Sequence, residues 1–163
     1  MVRIRSQWII FAFIMLLTAC SGGSTFNSPH ASGHYTNTPM QCVPYARKVS
    51  GIEIYGDAHT WWHQASPRYG RGTMPAPGAV LVLAKTRRLQ HGHLAVVKRI
   101  ISNRQIEVTH SNWGHNRATR SMIYDAMRVE DISPMNNWSQ LRFWNYHSSA
   151  FGSPYAAYGF IYR

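Results

Sequence analysis

The sequence predicts an α+β domain in which short helices near the N-terminus pack against an antiparallel sheet of about six strands. Within 41–50, Cys42, Tyr45, Ala46 and Val49 recur at spacings of three and four and are followed by Gly51, which is the pattern of one helix face and its C-terminal stop. From Pro77-Gly78 onward the texture changes to short apolar runs broken by turn residues. No long crossover helices separate those runs, so antiparallel pairing is expected. A chain of 163 residues with an atypical first twenty has room for one core of ordinary size.

In chain order, Arg3 and Arg5 precede an apolar run over 8–17 that is too short to span a bilayer and is followed by small and polar residues, as in a signal peptide. Leu17-Thr18-Ala19-Cys20 resembles the bacterial lipobox, so residues 1–20 are expected to be a lipoprotein signal peptide with Cys20 lipidated. Residues 21–40 are rich in Ser, Gly, Asn, Thr and Pro and read as a flexible tether with His30 and His34 solvated. Such a tether reaches at most about 65–70 Å when stretched and about 25 Å as a coil. The globular domain is expected over 41–163. Its first helix covers 41–50, a second runs from Asp57 as N-cap to about Ser66-Pro67, and strands cover 79–84, 94–101, 105–110, 122–129, 141–145 and 158–162. Ser102-Asn103-Arg104 makes a hairpin of the second and third.

Seventeen Lys and Arg against six Asp and Glu give a net charge of +11, which favours an anionic environment such as the cell envelope. The basic residues are dispersed and accompany no nucleic-acid-binding motif, so nucleic acid is not an expected partner. Of the two cysteines one is assigned to lipid, which leaves Cys42 alone and no intramolecular disulfide to form.

A lone exported thiol is a liability unless it is chemically needed, and Cys42 falls in the first turn of a helix, where unpaired amides favour thiolate. A nucleophile of this kind needs a histidine within hydrogen-bond reach. Among nine histidines, His93 stands at the mouth of the apolar strand Leu94-Ala95-Val96-Val97 and is assigned as base, while the direction of His91, across Gly92, is left open. At the end of the hairpin partner, His110 and Asn112 are two groups able to orient the imidazole. The Cys42 backbone N–H, with Gln41, is the expected oxyanion site.

Gln41-Cys42-Val43-Pro44-Tyr45-Ala46-Arg47, Gly56-Asp57-Ala58, Pro75-Ala76-Pro77-Gly78-Ala79-Val80-Leu81-Val82, Gly92-His93-Leu94-Ala95-Val96-Val97 and His110-Ser111-Asn112-Trp113 resemble, in order and spacing, the CHAP family of cysteine, histidine-dependent amidohydrolases and peptidases. The resemblance covers roughly 40–162. It implies a papain-like fold, cleavage of amide bonds in peptidoglycan, and Cys42 and His93 as nucleophile and base. The family often has a glutamate followed two positions later by an asparagine; here His110 and Asn112 occupy those places. A neutral side chain fixes a tautomer but does not stabilise imidazolium as a carboxylate does. The related NlpC/P60 peptidases, similar in using a polar third residue that is often histidine, favour His110 as orienter with Asn112 close behind.

The resulting expectation is a monomeric, cofactor-free peptidoglycan hydrolase, either endopeptidase or N-acetylmuramoyl-L-alanine amidase, acting on stem peptides. It would be held in the cell envelope by lipidated Cys20, at the outer membrane or the periplasmic face. The alternative is a catalytically silent, peptidoglycan-binding lipoprotein. Metal ligation by His91, His93, His110 and His115 is disfavoured because no second thiol or carboxylate completes a familiar pattern. His59 and His63 are assigned to a helix surface and Asp57 to a cap. Most tryptophans belong to the core, and Trp113 is the candidate substrate contact.

Overall fold

The computed structural model describes residues 33–35, as backbone, and 40–163; the stretch expected as a signal peptide, with Cys20, and most of the stretch expected as a tether lie outside the described residues. The first long element is helix α1, Cys42–Ser50, closed by Gly51 in the left-handed conformation (φ 70°), whose N–H bonds to the Arg47 carbonyl. Its buried face is Tyr45, Ala46 and Ser50, whereas Val49 is exposed. A serine replaces the expected valine inside because its hydroxyl is satisfied, donating to the Ala46 carbonyl at 2.7 Å and accepting from Ile52 N–H at 3.1 Å. The expected second helix is a 3₁₀ turn, Ala58–Thr60, leading into the single turn α2, Trp61–Gln64. Asp57 sits at the cap position but its side chain makes no capping bond.

Strand β1 (Gly33–Tyr35) lies within the stretch expected as tether; β2 (Gly70–Gly72), β3 (Val80–Leu83), β4 (His93–Ser102), β5 (Gln105–Ser111), β6 (Met122–Asp131), β7 (Gln140–Asn145), β8 (Ala150–Phe151) and β9 (Tyr155–Tyr162) follow, with the short helix α3 (Arg117–Arg120) before β6. Among the described residues all pairings are antiparallel. The strands run β6-β5-β4-β3-β9-β7, and β6 also pairs with β7, so the expected antiparallel sheet of about six strands closes into a six-stranded barrel. The closing register is Val129↔Phe143 to Asp131↔Leu141. Strands β1, β2 and β8 extend it at β6, β9 and β7.

Alternation along the strands divides the core in two. Ala79, Leu81, Leu83, Ala95 and Val97 join Val108, Met127, Val129, Leu141, Phe143 and Phe160 in one cluster. Val80, Val82, Leu94 and Val96 face the other way and pack with Ala46, Ile52, Ile54, Trp61 and Ala65 of the helical segment. Strand β3 is therefore buried on both sides, which is why it reads as an unbroken apolar run. Helix α1 is fastened across this layer by the Tyr45 hydroxyl, 2.6 Å from Thr109 Oγ1 on β5. Farther down the hairpin, the Arg99 guanidinium donates to both oxygens of the buried Glu107 carboxylate at 2.6 and 2.7 Å, directly across the β4–β5 pair. These contacts set the head of α1, the start of β4 and the end of β5 side by side.

Candidate active site

Cys42 is the first residue of α1 and is a free cysteine, half-buried as a residue. Its cap residue Gln41 is extended (φ −65°, ψ 150°), which turns the chain into the helix without using the Gln41 side chain as a cap. The backbone of Leu94, the residue after His93, lies within hydrogen-bond reach of the thiol, together with the amides of Val43 and Cys42 itself. Burial nonetheless pushes the Cys42 thiol above its ordinary value, and those backbone amides pull the other way without overcoming it. The lowered thiol expected from the helix terminus is thus reversed by desolvation, and the resting group is a thiol.

His93 opens β4 immediately after Gly92, whose φ of 70° is in the left-handed region. A Cβ on Gly92 would stand 2.7 Å from both the His59 amide nitrogen and the Leu83 carbonyl oxygen, so only glycine lets this turn pass between the 3₁₀ segment and β3. By strand parity His93 shares a face with Ala95 and Val97, and it is 3% exposed. Its Nε2 is 2.9 Å from Nδ1 of His110, near the end of β5. His110 is wholly buried, and its own Nε2 is 3.3 Å from Sδ of Met127 on β6. Burial lowers His93 to about 3 and holds His110 well below the usual imidazole range, with the neighbouring His93 adding to the latter effect. Both rings are neutral across the physiological range. The Trp113 ring packs 4.6 Å from His93 and 5.5 Å from His110, with Phe143 and Tyr155 behind it.

The side-chain contact to His93 therefore comes from His110. Asn112 is turned elsewhere: in the left-handed region (φ 57°), which asparagine tolerates, it donates its side-chain amide to Gln41 Oε1. That bond occupies the Gln41 carbonyl and leaves its amide N–H groups as donors. His91 is exposed at the rim, where its Nδ1 is 3.2 Å from Asp57 Oδ2; this hydrogen bond holds the Asp57 carboxyl below the usual carboxylate range. Among the described residues no group of three or more His, Cys, Asp or Glu side chains is arranged to hold a metal ion.

Gln41, Cys42, His93, Asn112 and Trp113 all line one cavity of about 710 Å³, whose lining also includes Arg88, His91, His115 and Arg120 and, among the described residues, the single acid Asp57. A thiol, a neutral imidazole oriented from behind, and amide donors beside the thiol are the components of nucleophilic acyl transfer. Sequence reasoning missed Met127, and it missed the Gln41–Asn112 and Asp57–His91 contacts, because each joins residues from separate elements.

Residues 32–112 match the family model described as CHAP domain. The staphylococcal secretory antigen SsaA of Staphylococcus aureus (strain NCTC 8325 / PS 47) is 31% identical over 99 residues, covering 58% of this chain and 38% of that protein. SsaA of Staphylococcus epidermidis is 35% identical over 99 residues, covering 58% of this chain and 37% of that protein. The chain thus spans less than two fifths of the length of these curated relatives. A crystal structure of N-acetylmuramoyl-L-alanine amidase from Staphylococcus aureus aligns with 53% of this chain and 30% of its own, at 25% identity and a TM-score of 0.39.

Proposed function

Because the chain carries a CHAP domain and belongs to that family, we propose that it is a cell-wall hydrolase cleaving amide bonds in peptidoglycan, with Cys42 as nucleophile and His93 as base. The observation that carries this reading is the opening of Cys42 and His93 onto one cavity while His93 Nε2 is engaged by His110. His93 Nδ1 is then the ring nitrogen left for the thiol. With a thiol and a neutral imidazole at rest, the proton moves from Sγ to His93 Nδ1 as sulfur attacks the amide carbonyl. The tetrahedral oxyanion takes hydrogen bonds from the Cys42 backbone N–H and the Gln41 side-chain amide, whose orientation Asn112 holds. The C–N bond breaks as His93 returns the proton to the leaving amine, giving a thioester. Water, deprotonated by His93, then releases a carboxylic acid and restores the thiol.

Trp113 forms the wall against which a stem peptide or sugar ring rests, and the cationic rim suits the carboxylates of such peptides. A lipid on Cys20 would hold the domain in the cell envelope, at the outer membrane or the periplasmic face, with the segment after it as tether. The chain acts as a monomer and needs neither cofactor nor nucleic acid in this scheme.

The test is digestion of purified muropeptides by the full chain, with mass analysis of the fragments. New amine and carboxylate termini in the expected pairs support the reading, and the fragment masses separate endopeptidase from amidase. Cys42→Ala should abolish turnover and keep wall binding. A Cys42→Ala chain that digests as fast as the unaltered one ends the proposal, and an unaltered chain that binds wall without cutting it establishes the silent envelope-binding alternative.

A further inference from the structure

The relay behind the base continues one residue past His110, and its last member is not a titratable group. Met127 is 2% exposed, lies on β6 beside β5, and places Sδ 3.3 Å from His110 Nε2. A thioether has lone pairs and no proton to give, so in this contact His110 Nε2 is the donor. A buried neutral imidazole carries one N–H. With that proton on Nε2, His110 Nδ1 holds a lone pair, and the 2.9 Å contact to His93 Nε2 has one polarity: His93 donates. His93, neutral in its turn, then carries its proton on Nε2 and its lone pair on Nδ1.

We propose that Met127 is a positioning residue: by accepting from His110 Nε2 it fixes the proton positions on both histidines and so leaves His93 Nδ1 free as the base for Cys42. The proposal rests on the hydrolase reading for its catalytic consequence, though not for the tautomers themselves. The reverse arrangement has His110 protonated on Nδ1 and donating to His93 Nε2. His93 would then bear its proton on Nδ1 and could not accept one from the thiol. Both arrangements keep the His93–His110 hydrogen bond, so that bond alone does not choose between them. The chosen direction comes from the far end, where a sulfur accepts and a hydrocarbon would not. The aromatic rings of Trp113, Tyr124 and Phe143 pack 5.4–5.5 Å from the His110 ring, holding it in the plane where this contact is made.

The experiment labels the full chain with ring ¹⁵N-histidine and reads the tautomers by ¹H–¹⁵N correlation, with assignments from His93→Gln and His110→Gln. Both rings are expected as the Nε2–H form. Met127→Leu, nearly volume-conserving, removes the acceptor. It should shift both rings toward the Nδ1–H form and lower kcat on muropeptides by between about 10-fold and 10⁴-fold, with KM nearly unchanged, since a base in the wrong tautomer is lost to catalysis. An Nδ1–H form of either ring in the unaltered chain overturns the proposal without recourse to any variant. So does a Met127→Leu chain whose tautomers or kcat are unchanged. Nε2–H rings that respond to Met127→Leu in a chain that hydrolyses no muropeptide would sink the hydrolase reading and leave the proton ordering standing.

Discussion

At the scale of single residues, Cys42 is governed by two opposed effects, and their balance decides how the site is used. The helix terminus and three backbone amides favour thiolate, and burial against the Leu94 layer favours thiol; burial is the larger. In the proposed mechanism the proton therefore leaves sulfur during attack, assisted by a neutral His93, with no thiolate–imidazolium pair stored beforehand. Alkylation by iodoacetamide in the absence of substrate should be slow near pH 7 and should accelerate only above the thiol's ordinary value of 9.0. Fast alkylation at neutral pH would show that the thiolate is already formed. In the proposed mechanism Asn112 acts through Gln41, to which it donates its side-chain amide. Asn112→Ala should reduce kcat on muropeptides by roughly 10-fold, less than the 10²–10³-fold loss of an oxyanion donor itself, with little change in KM. An unchanged kcat would remove Gln41 from the oxyanion role.

At the scale of elements, the site is made where α1, the β3–β4 turn and the end of β5 converge, and each has a local reason for its place. Gly51 ends the helix, Tyr45 ties it to Thr109, and Gly92 lets the chain turn into β4 under His59. Gly92→Ala combines a left-handed backbone, costing about 1–3 kcal/mol, with a contact of 2.7 Å to two backbone atoms. We expect a lower urea midpoint and, because His93 is the next residue, a fall in activity greater than the loss of folded protein explains. Activity per folded molecule equal to that of the unaltered chain would show that the turn does not position the base. Helix α1 and strands β3 to β7 and β9 were legible because their apolar periodicities are long enough to register. Strands β1, β2 and β8 span three, three and two residues and carry no periodicity; they exist because longer neighbours offer them hydrogen-bonding edges.

At the scale of the whole molecule, barrel closure gives the two histidines their environment. The β6–β7 pairing encloses the cluster that contains Met127 and Phe143, and His110 lies against it fully desolvated. This enclosure links stability to pH. Unfolded histidine takes a proton near 6.5, whereas folded His93 resists it down to about 3 and His110 is depressed as well. Between those limits the unfolded chain binds more protons than the native one. The stabilisation is complete above about pH 6.5 and is lost as pH falls toward 3, at up to about 1.4 kcal/mol per pH unit for each histidine. Urea midpoints measured from pH 7 to 4 should fall, and the fall should be shallower in a His93→Gln, His110→Gln double variant. Parallel slopes for the two chains would show that the histidines do not carry the acid sensitivity.

The sequence by itself determined the local terms: a helix headed by Cys42, a strand headed by His93, antiparallel hairpins, and the succession of motifs that marks the CHAP family. Those follow from propensity, periodicity and spacing, which neighbours along the chain are sufficient to define. Tertiary structure alone decided that the sheet closes, that burial outweighs the helix terminus at the thiol, that His110 faces His93 while Asn112 faces Gln41, and that a methionine stands behind His110. Each of these depends on strand register and on exclusion of water. Both arise only when residues far apart in the chain are packed together.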